Sequence, residues 1–227
     1  MGYSTDFTGK LEFSAPILPQ HYAYLKAFGH IRHMKRDNAK LENEPDPIRE
    51  EVGLPLGNEG EYFIGLPEDI ACGWGFGQDN NKGLIDSNTP AGQLTNYSKW
   101  EENNRLIAEG KAQPGLWCKW DVVLENNVVE TGPLDAPENV NLGNTAYLQW
   151  DGGEKFYYYV EWMQYLINNF IEPWGYYLNG RIKWQGEETG DTGMIEVADN
   201  VITVTTLDND LNKVHHIIKP KERKLIG

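Results

Sequence analysis

Three charged residues have the types and spacing that acid–base chemistry uses. Asp151, Glu154 and Lys155 follow a strand-like segment and precede an aromatic run whose spacing predicts a helix. The exposed N–H groups of a first helical turn favour an anion, and two carboxylates beside an ammonium can exchange protons when they are partly buried. Asp151 and Glu154 also match a capping box, which explains both acids without any ligand.

Several tryptophans lie beside polar, glycine-rich or turn segments, among them Trp74. Aromatic side chains with a few polar groups are typical of ligand pockets, although a role in the core explains tryptophans equally well. No catalytic residue can be assigned. The sequence offers these candidate ligand- or partner-binding residues: Asp86, Trp117, Trp120, Trp150, Asp151, Glu154 and Lys155.

His30 and His33 are three residues apart at the end of a predicted helix, and Asp37 follows closely. These are three candidate metal ligands, but cations at a helix C-terminus also complement the helix dipole. Because no metal-binding motif accompanies them, the sequence predicts no metal and no cofactor. Cys72 and Cys118 are too few for a disulfide framework, so we expect two reduced thiols.

The composition excludes several classes of function. A net charge of −14 repels nucleic-acid backbones and anionic membranes, and a hydrophobic content of 40% is enough to build a core. No apolar run reaches the roughly eighteen residues that span a bilayer, and no signal peptide is recognisable. The motifs of P-loop enzymes, kinases, zinc proteases and dithiol redox proteins are missing. We therefore expect a cytoplasmic protein without direct nucleic-acid or membrane contact.

Hydrophobic periodicity predicts the elements of the first two thirds of the chain. We predict a glycine-rich turn segment at residues 71–83. At the other end of the chain we predict a polar C-terminal end at residues 219–224. The predicted strands are Lys10–Phe13, Glu61–Gly65, Pro114–Leu124, Val128–Thr131 and Ala146–Trp150, and the predicted helices are Pro19–Lys35, one turn at Ile48–Val52 and Tyr97–Ala112.

The last third is predicted as one helix followed by hairpins. The helix runs from Asp151 to the residue before Pro173, because a proline pushes its predecessor out of the helical region. Asn179-Gly180 and Asp199-Asn200 are two-residue turn sequences between alternating segments, and residues 214–218 can add an edge strand. We predict an α+β fold, mainly an antiparallel sheet of about five to seven strands with two principal helices packed on it.

Four segments carry a resemblance to known proteins: DSNTP, QPGLWCKW, WDGGEKFYYYVEW and GYYLNGRIKWQGE. Through them the chain resembles an uncharacterised family of small bacterial and phage proteins, from which no function carries over. In that family the DSNTP-like segment runs almost directly into QPGLWCKW, so residues 94–112 resemble an insertion on the surface. We expect one domain over residues 1–227, with a surface excursion at residues 37–60 and this insertion.

The charge, the aromatic content and the resemblance favour a non-enzymatic binding protein. The first hypothesis is an inhibitor of a host or competitor protein, of the phage counter-defence or immunity type. An alternative is binding, sequestration or hydrolysis of a small nucleotide-like ligand in an aromatic pocket near Trp117 and Trp150. A further alternative is an acidic mimic of DNA. The sequence leaves the oligomeric state open.

Overall fold

The computed structural model describes residues 2–70, 80–95, 97–125, 145–207 and 213–218. The predictions for Cys72, Trp74, the strand Val128–Thr131 and the polar C-terminal end lie outside these residues. The strands are β1 Thr5–Phe13, β2 Lys35–Arg36, β3 Leu84–Asp86, β4 Trp120–Leu124, β5 Ala146–Trp150, β6 Leu178–Gly186, β7 Thr192–Ala198, β8 Val201–Leu207 and β9 Lys213–Ile218. The helices are α1 Pro19–His30, α2 Asn38–Leu41, α3 Pro47–Glu51, α4 Pro67–Ile70, α5 Trp100–Ala108 and α6 Tyr159–Leu166.

An antiparallel sheet of seven strands organises the molecule, in the order β4-β5-β1-β6-β7-β8-β9. The predicted α+β class is therefore confirmed, including the C-terminal meander from β6 to β9. β2 and β3 form a separate two-stranded sheet. In the part of the chain that the structure describes, no helix has both the length and the apolar character needed to cross a membrane.

The helices α1 and α6 pack against β4 and share one hydrophobic core with the large sheet. Side chains alternate along each strand, and the inward set includes Phe7 of β1, which makes edge-on ring contacts with Trp120 at 5.4 Å and Tyr159 at 4.9 Å. Trp120 also packs against Phe156, at 5.1 Å between ring centroids. Large aromatic rings therefore bridge the sheet and the segment that leads into α6.

Helix α1 is shorter than the predicted Pro19–Lys35, because the chain becomes extended at Ile31. The backbone N–H of His33 donates to Leu116 O at 2.9 Å, and that of Lys35 donates to Thr89 O at 2.9 Å. These long-range hydrogen bonds replace the helical ones that the local sequence favoured. Gly29 lets α1 lie close to β4, since a Cβ there would be 3.0 Å from Trp120 O.

The capping box predicted at Asp151 and Glu154 is wrong, because α6 begins at Tyr159. The Asp151 carboxylate instead accepts the N–H of Gly153 at 2.7 Å, which closes a local turn. Gly152 and Lys155 have positive φ values of 84° and 60°. After Leu166 the helix continues as a π-helix, Ile167–Ile171.

The predicted hairpin at Asn179-Gly180 is also wrong, because both residues lie inside the continuous strand β6. They pair with Glu12 and Leu11 of β1. Gly180 has a φ of 146°, and a Cβ there would lie 2.6 Å from Lys10 O, so the glycine permits the close approach of β1. The Asp199-Asn200 hairpin between β7 and β8 and the edge strand β9 are confirmed.

Two other predicted strands are corrected. Residues 61–65 form no strand, since the N–H groups of Ile64 and Gly65 donate to the buried carboxylate of Asp46. The predicted strand Pro114–Leu124 starts only at Trp120, although the buried residues alternate as expected. The helix predicted at Tyr97–Ala112 is confirmed with shorter ends, and so is the turn at Ile48–Val52.

Candidate binding cavity

The residues that the sequence singled out do not meet at one site. Trp120 is buried in the core, where its Nε1 donates to Tyr159 O at 2.8 Å. Trp150 is half-buried and donates to Gly153 O at 3.2 Å. Glu154 and Lys155 are exposed, and they belong to a loop rather than to the first turn of a helix. The anion site expected from a helix N-terminus at this point is therefore absent.

A charged cluster lies where α1 packs on β4. Lys26 Nζ is 2.6 Å from Asp121 Oδ2, and His30 Nε2 is 4.0 Å from Asp121 Oδ1. Burial lowers the pKa of His30, while the nearby Asp121 carboxylate opposes this shift. Asp151 is near the same cluster. Partial desolvation raises the pKa of its carboxyl, and the hydrogen bond from the Gly153 N–H and then the Lys119 ammonium counteract that rise. These interactions tie the end of α1 to the edge strand of the sheet.

The predicted ligand pair His30 and His33 points in two directions. His33 is buried, with its ring centroid 4.2 Å from that of Phe28, whereas His30 faces Asp121. Asp37 instead accepts the N–H of Ala39 at the start of α2. Among the residues that the structure describes, no group of three His, Cys, Asp or Glu is arranged to hold a metal ion.

Asp86 lies in the wall of a cavity of about 440 Å³, a size typical of sites for small ligands. The wall is contributed by β3 and the residues after it, by α5, and by the residue before α6. The lining residues are Asp86, Asn88, Thr89, Pro90, Gln93, Leu94, Thr95, Trp100, Asn103, Asn104, Ile107 and Tyr158. Of the sequence-predicted site residues, Asp86 is the one that lines it.

The carboxylate of Asp86 is held in a fixed orientation by its own loop. Its Oδ1 accepts the N–H of Asn88 at 2.8 Å, and its Oδ2 accepts the hydroxyl of Thr89 at 2.7 Å. These hydrogen bonds, the one from Thr89 first, lower the pKa of the Asp86 carboxyl. The cavity wall therefore presents an ionised carboxylate at neutral pH.

Two amides of the wall are positioned by backbone groups. Gln93 Nε2 donates to Gln113 O at 2.6 Å, which leaves its Oε1 able to accept a hydrogen bond. Asn103 accepts the N–H of Leu94 at 2.7 Å and donates to Leu94 O at 3.1 Å. Because these side chains are held in place, a ligand would not have to immobilise them.

Aromatic and apolar side chains stand at the mouth of the cavity. Trp100 is 62% exposed, Tyr158 is 41% exposed and Leu94 is 37% exposed. Tyr158 has a φ of 56°, a conformation that few residues other than glycine adopt. The exposed rings of Trp100 and Tyr158 offer faces on which a ligand can stack.

No family model matches the chain, and neither do the curated proteins or the solved structures compared with it.

Trp117 does not line the cavity but is linked to it through Arg32. The Arg32 guanidinium lies 5.7 Å from the centroid of the Trp117 ring and donates to Asn88 Oδ1 at 3.2 Å. The buried atoms His33 Nε2 and Trp162 Nε1 belong to rings whose centroids are 4.9 Å apart, and they have no hydrogen-bond partner in the described structure. A Cβ on Gly115 would be 3.5 Å from Trp162 Nε1 and 3.7 Å from the Tyr158 ring. The segment QPGLWCKW therefore forms the support behind the cavity.

The buried His33 should make stability depend on pH. Burial lowers the pKa of His33 to about 3, whereas an unfolded histidine titrates near pH 6.5. Below that pH the unfolded state takes up a proton that the folded state does not bind. The free energy of unfolding should therefore fall by about 2 kcal/mol between pH 7.5 and pH 5 through this residue alone.

Urea unfolding at both pH values, for the wild type and for His33→Gln, measures this effect. His21 and His30, whose pKa values are also lowered by burial, contribute equally to both proteins. The glutamine variant should therefore lose about 2 kcal/mol less than the wild type on acidification. Equal losses in the two proteins would show that His33 is not buried as a neutral ring.

Proposed function

We propose that this protein binds a small polar ligand in the cavity beside Trp100 and does not transform it. The observation that carries the proposal is the convergence of three separate segments on one cavity with aromatic rings at its mouth and fixed amides in its wall. This arrangement has the composition of a ligand pocket, which combines apolar surface with a few oriented polar groups.

Binding without catalysis agrees with the chemistry of the lining. Among the described residues that form the wall, Asp86 is the only carboxylate, and lysine, arginine, histidine and cysteine are not represented. General acid–base catalysis needs a proton donor and a proton acceptor at the ligand, and the cluster around Asp121 does not line the cavity. Sequestration in the cytoplasm is the role that we propose on this basis.

A protein partner is a second candidate, and the exposed rings favour it. Trp100 and Tyr158 are 62% and 41% exposed, and aromatic residues of this kind are enriched at the centre of protein interfaces. The net charge of −14 would attract a basic partner. A host or competitor protein, as the sequence suggested, would then be held by this surface.

Replacing Trp100 with alanine tests the proposed function. Thermal-shift assays against nucleotides, nucleosides, cyclic dinucleotides, ADP-ribose and neutral sugars identify a ligand of the wild type, and calorimetry gives its affinity. Trp100→Ala should weaken that affinity about fivefold, because a ring contact contributes roughly 1 kcal/mol. The melting temperature of the free protein should hardly change, since the ring is mostly exposed.

Tyr177→Ala is the matched control, because Tyr177 is 49% exposed and does not line the cavity. It should leave the affinity unchanged. A wild-type protein that binds none of these compounds would refute the small-ligand proposal. A protein captured from a lysate by the wild type and by Tyr177→Ala, but not by Trp100→Ala, would instead support the second candidate.

A further inference from the structure

We infer that the ligand of this cavity is an uncharged molecule that presents two neighbouring hydroxyl groups to Asp86 and a flat face to Trp100. This inference rests on the proposed function and narrows it to one ligand chemistry. Two sources share that chemistry: a free sugar, and the ribose of a nucleoside.

The hydrogen bonds of Asp86 point to a pair of hydroxyl groups. A carboxylate offers about four lone-pair positions, and the bonds from Asn88 and Thr89 occupy one on each oxygen. One acceptor position therefore remains on each of two adjacent oxygens. Two hydroxyls on neighbouring carbons have the spacing to donate one hydrogen bond to each oxygen, as ribose diols do with acidic residues in dinucleotide sites.

The charges around the cavity disfavour a phosphorylated ligand. The described lining residues carry no positive side chain that would offset a phosphate beside Asp86. Two cations next to the wall are already bonded: Lys35 Nζ donates to Gln93 O at 2.6 Å and lies 3.1 Å from Glu59, and Arg32 donates to Asn88. A phosphate placed beside the Asp86 carboxylate would be repelled.

The remaining groups of the wall match an uncharged ligand with polar edges. Asn104 and Thr95 can each donate or accept a hydrogen bond, and Thr89, whose hydroxyl donates to Asp86, can accept one. These groups suit hydroxyl groups or the edge of a base. The rings of Trp100 and Tyr158 provide apolar faces for the C–H face of a sugar or for a nucleoside base. Stacking supplies affinity, and the hydrogen bonds select the ligand.

Calorimetric titrations with a panel of methyl hexopyranosides and a panel of ribonucleosides test the inference and separate the two sources. For the best ligand of either panel, removal of one hydroxyl of the diol should weaken binding at least about tenfold. For a nucleoside, addition of a 5′-phosphate should also weaken binding. A deoxy analogue that binds as tightly as the diol would overturn the inference, and so would binding of neither panel.

Asp86→Asn provides the decisive comparison. In this variant the diol ligand and its deoxy analogue should bind with nearly equal affinity, because the acceptor pair is gone. A merely structural effect would weaken both ligands by the same factor and would leave their ratio unchanged. Glu101→Gln, which removes an exposed acid of α5 that does not line the cavity, is the control for charge. A ligand without a diol that depends on Trp100 would overturn this inference and leave the proposed function standing.

Discussion

Replacing Trp120 with alanine is expected to lower the free energy of unfolding by about 4 kcal/mol. The ring is 1% exposed and lies between Phe7 and Phe156, with centroid distances of 5.4 and 5.1 Å. Its truncation leaves a cavity between the sheet and the segment before α6, and it removes the hydrogen bond to Tyr159 O. Urea unfolding followed by circular dichroism measures the change.

Trp100→Ala is the matched control, since the same substitution at a ring that is 62% exposed should cost less than about 0.5 kcal/mol. The two variants should therefore separate stability from ligand binding. Trp120→Ala should lose stability, whereas Trp100→Ala should lose affinity. If both substitutions reduced stability alike, Trp100 would belong to the core and could not form the mouth of the cavity.

Replacing Asp46 with alanine should have a comparable effect, about 4 kcal/mol. Its carboxylate is fully buried, lies 2.6 Å from Arg49 Nε, and accepts the N–H groups of Ile64 and Gly65 at 3.2 and 3.0 Å. The substitution leaves a guanidinium and two backbone donors without their acceptor in a site that solvent hardly reaches. Denaturant unfolding again gives the magnitude.

Glu50→Ala tests whether burial is the cause. Glu50 also pairs with Arg49, at 3.5 Å, but its side chain is 60% exposed. Loss of an exposed pair should change the free energy of unfolding by well under 1 kcal/mol. A similar loss for both variants would mean that the burial of the Asp46 carboxylate does not determine how much its pairing with Arg49 contributes to stability.

Two features of the sheet agree closely with the sequence prediction. β5 has the predicted limits Ala146–Trp150, and the Asp199-Asn200 turn joins β7 to β8 as expected. The secondary-structure predictions fail where backbone groups form hydrogen bonds with distant residues instead of the local partners that the sequence pattern indicated. Asn179-Gly180 has the composition of a turn, but its partner is β1, more than 160 residues earlier in the chain.

The candidate site was predictable only in part, because its residues also come from parts of the chain that are distant in sequence. Asp86 was recognised as a polar candidate. Trp117 was also a candidate, and its ring lies next to Arg32, which donates to Asn88 in the cavity wall. Trp100 and Tyr158 were not among the candidates, because nothing local indicates that α5 and the start of α6 face the same cavity. The signal that could have found Trp100 was its place in a polar segment, where a tryptophan has little to pack against.

The central position of β1 has a consequence for how the chain matures on the ribosome. β1 spans Thr5–Phe13, but its neighbours in the sheet are β5 and β6, and β6 ends at Gly186. At a synthesis rate of about 5–20 residues per second, the first strand is complete roughly 9 to 35 s before its last partner exists. Until β5 is complete at Trp150, β1 has neither of its two neighbouring strands, and until β6 follows, one edge of β1 stays unpaired. Completion of the central part of the sheet is therefore a late event in translation.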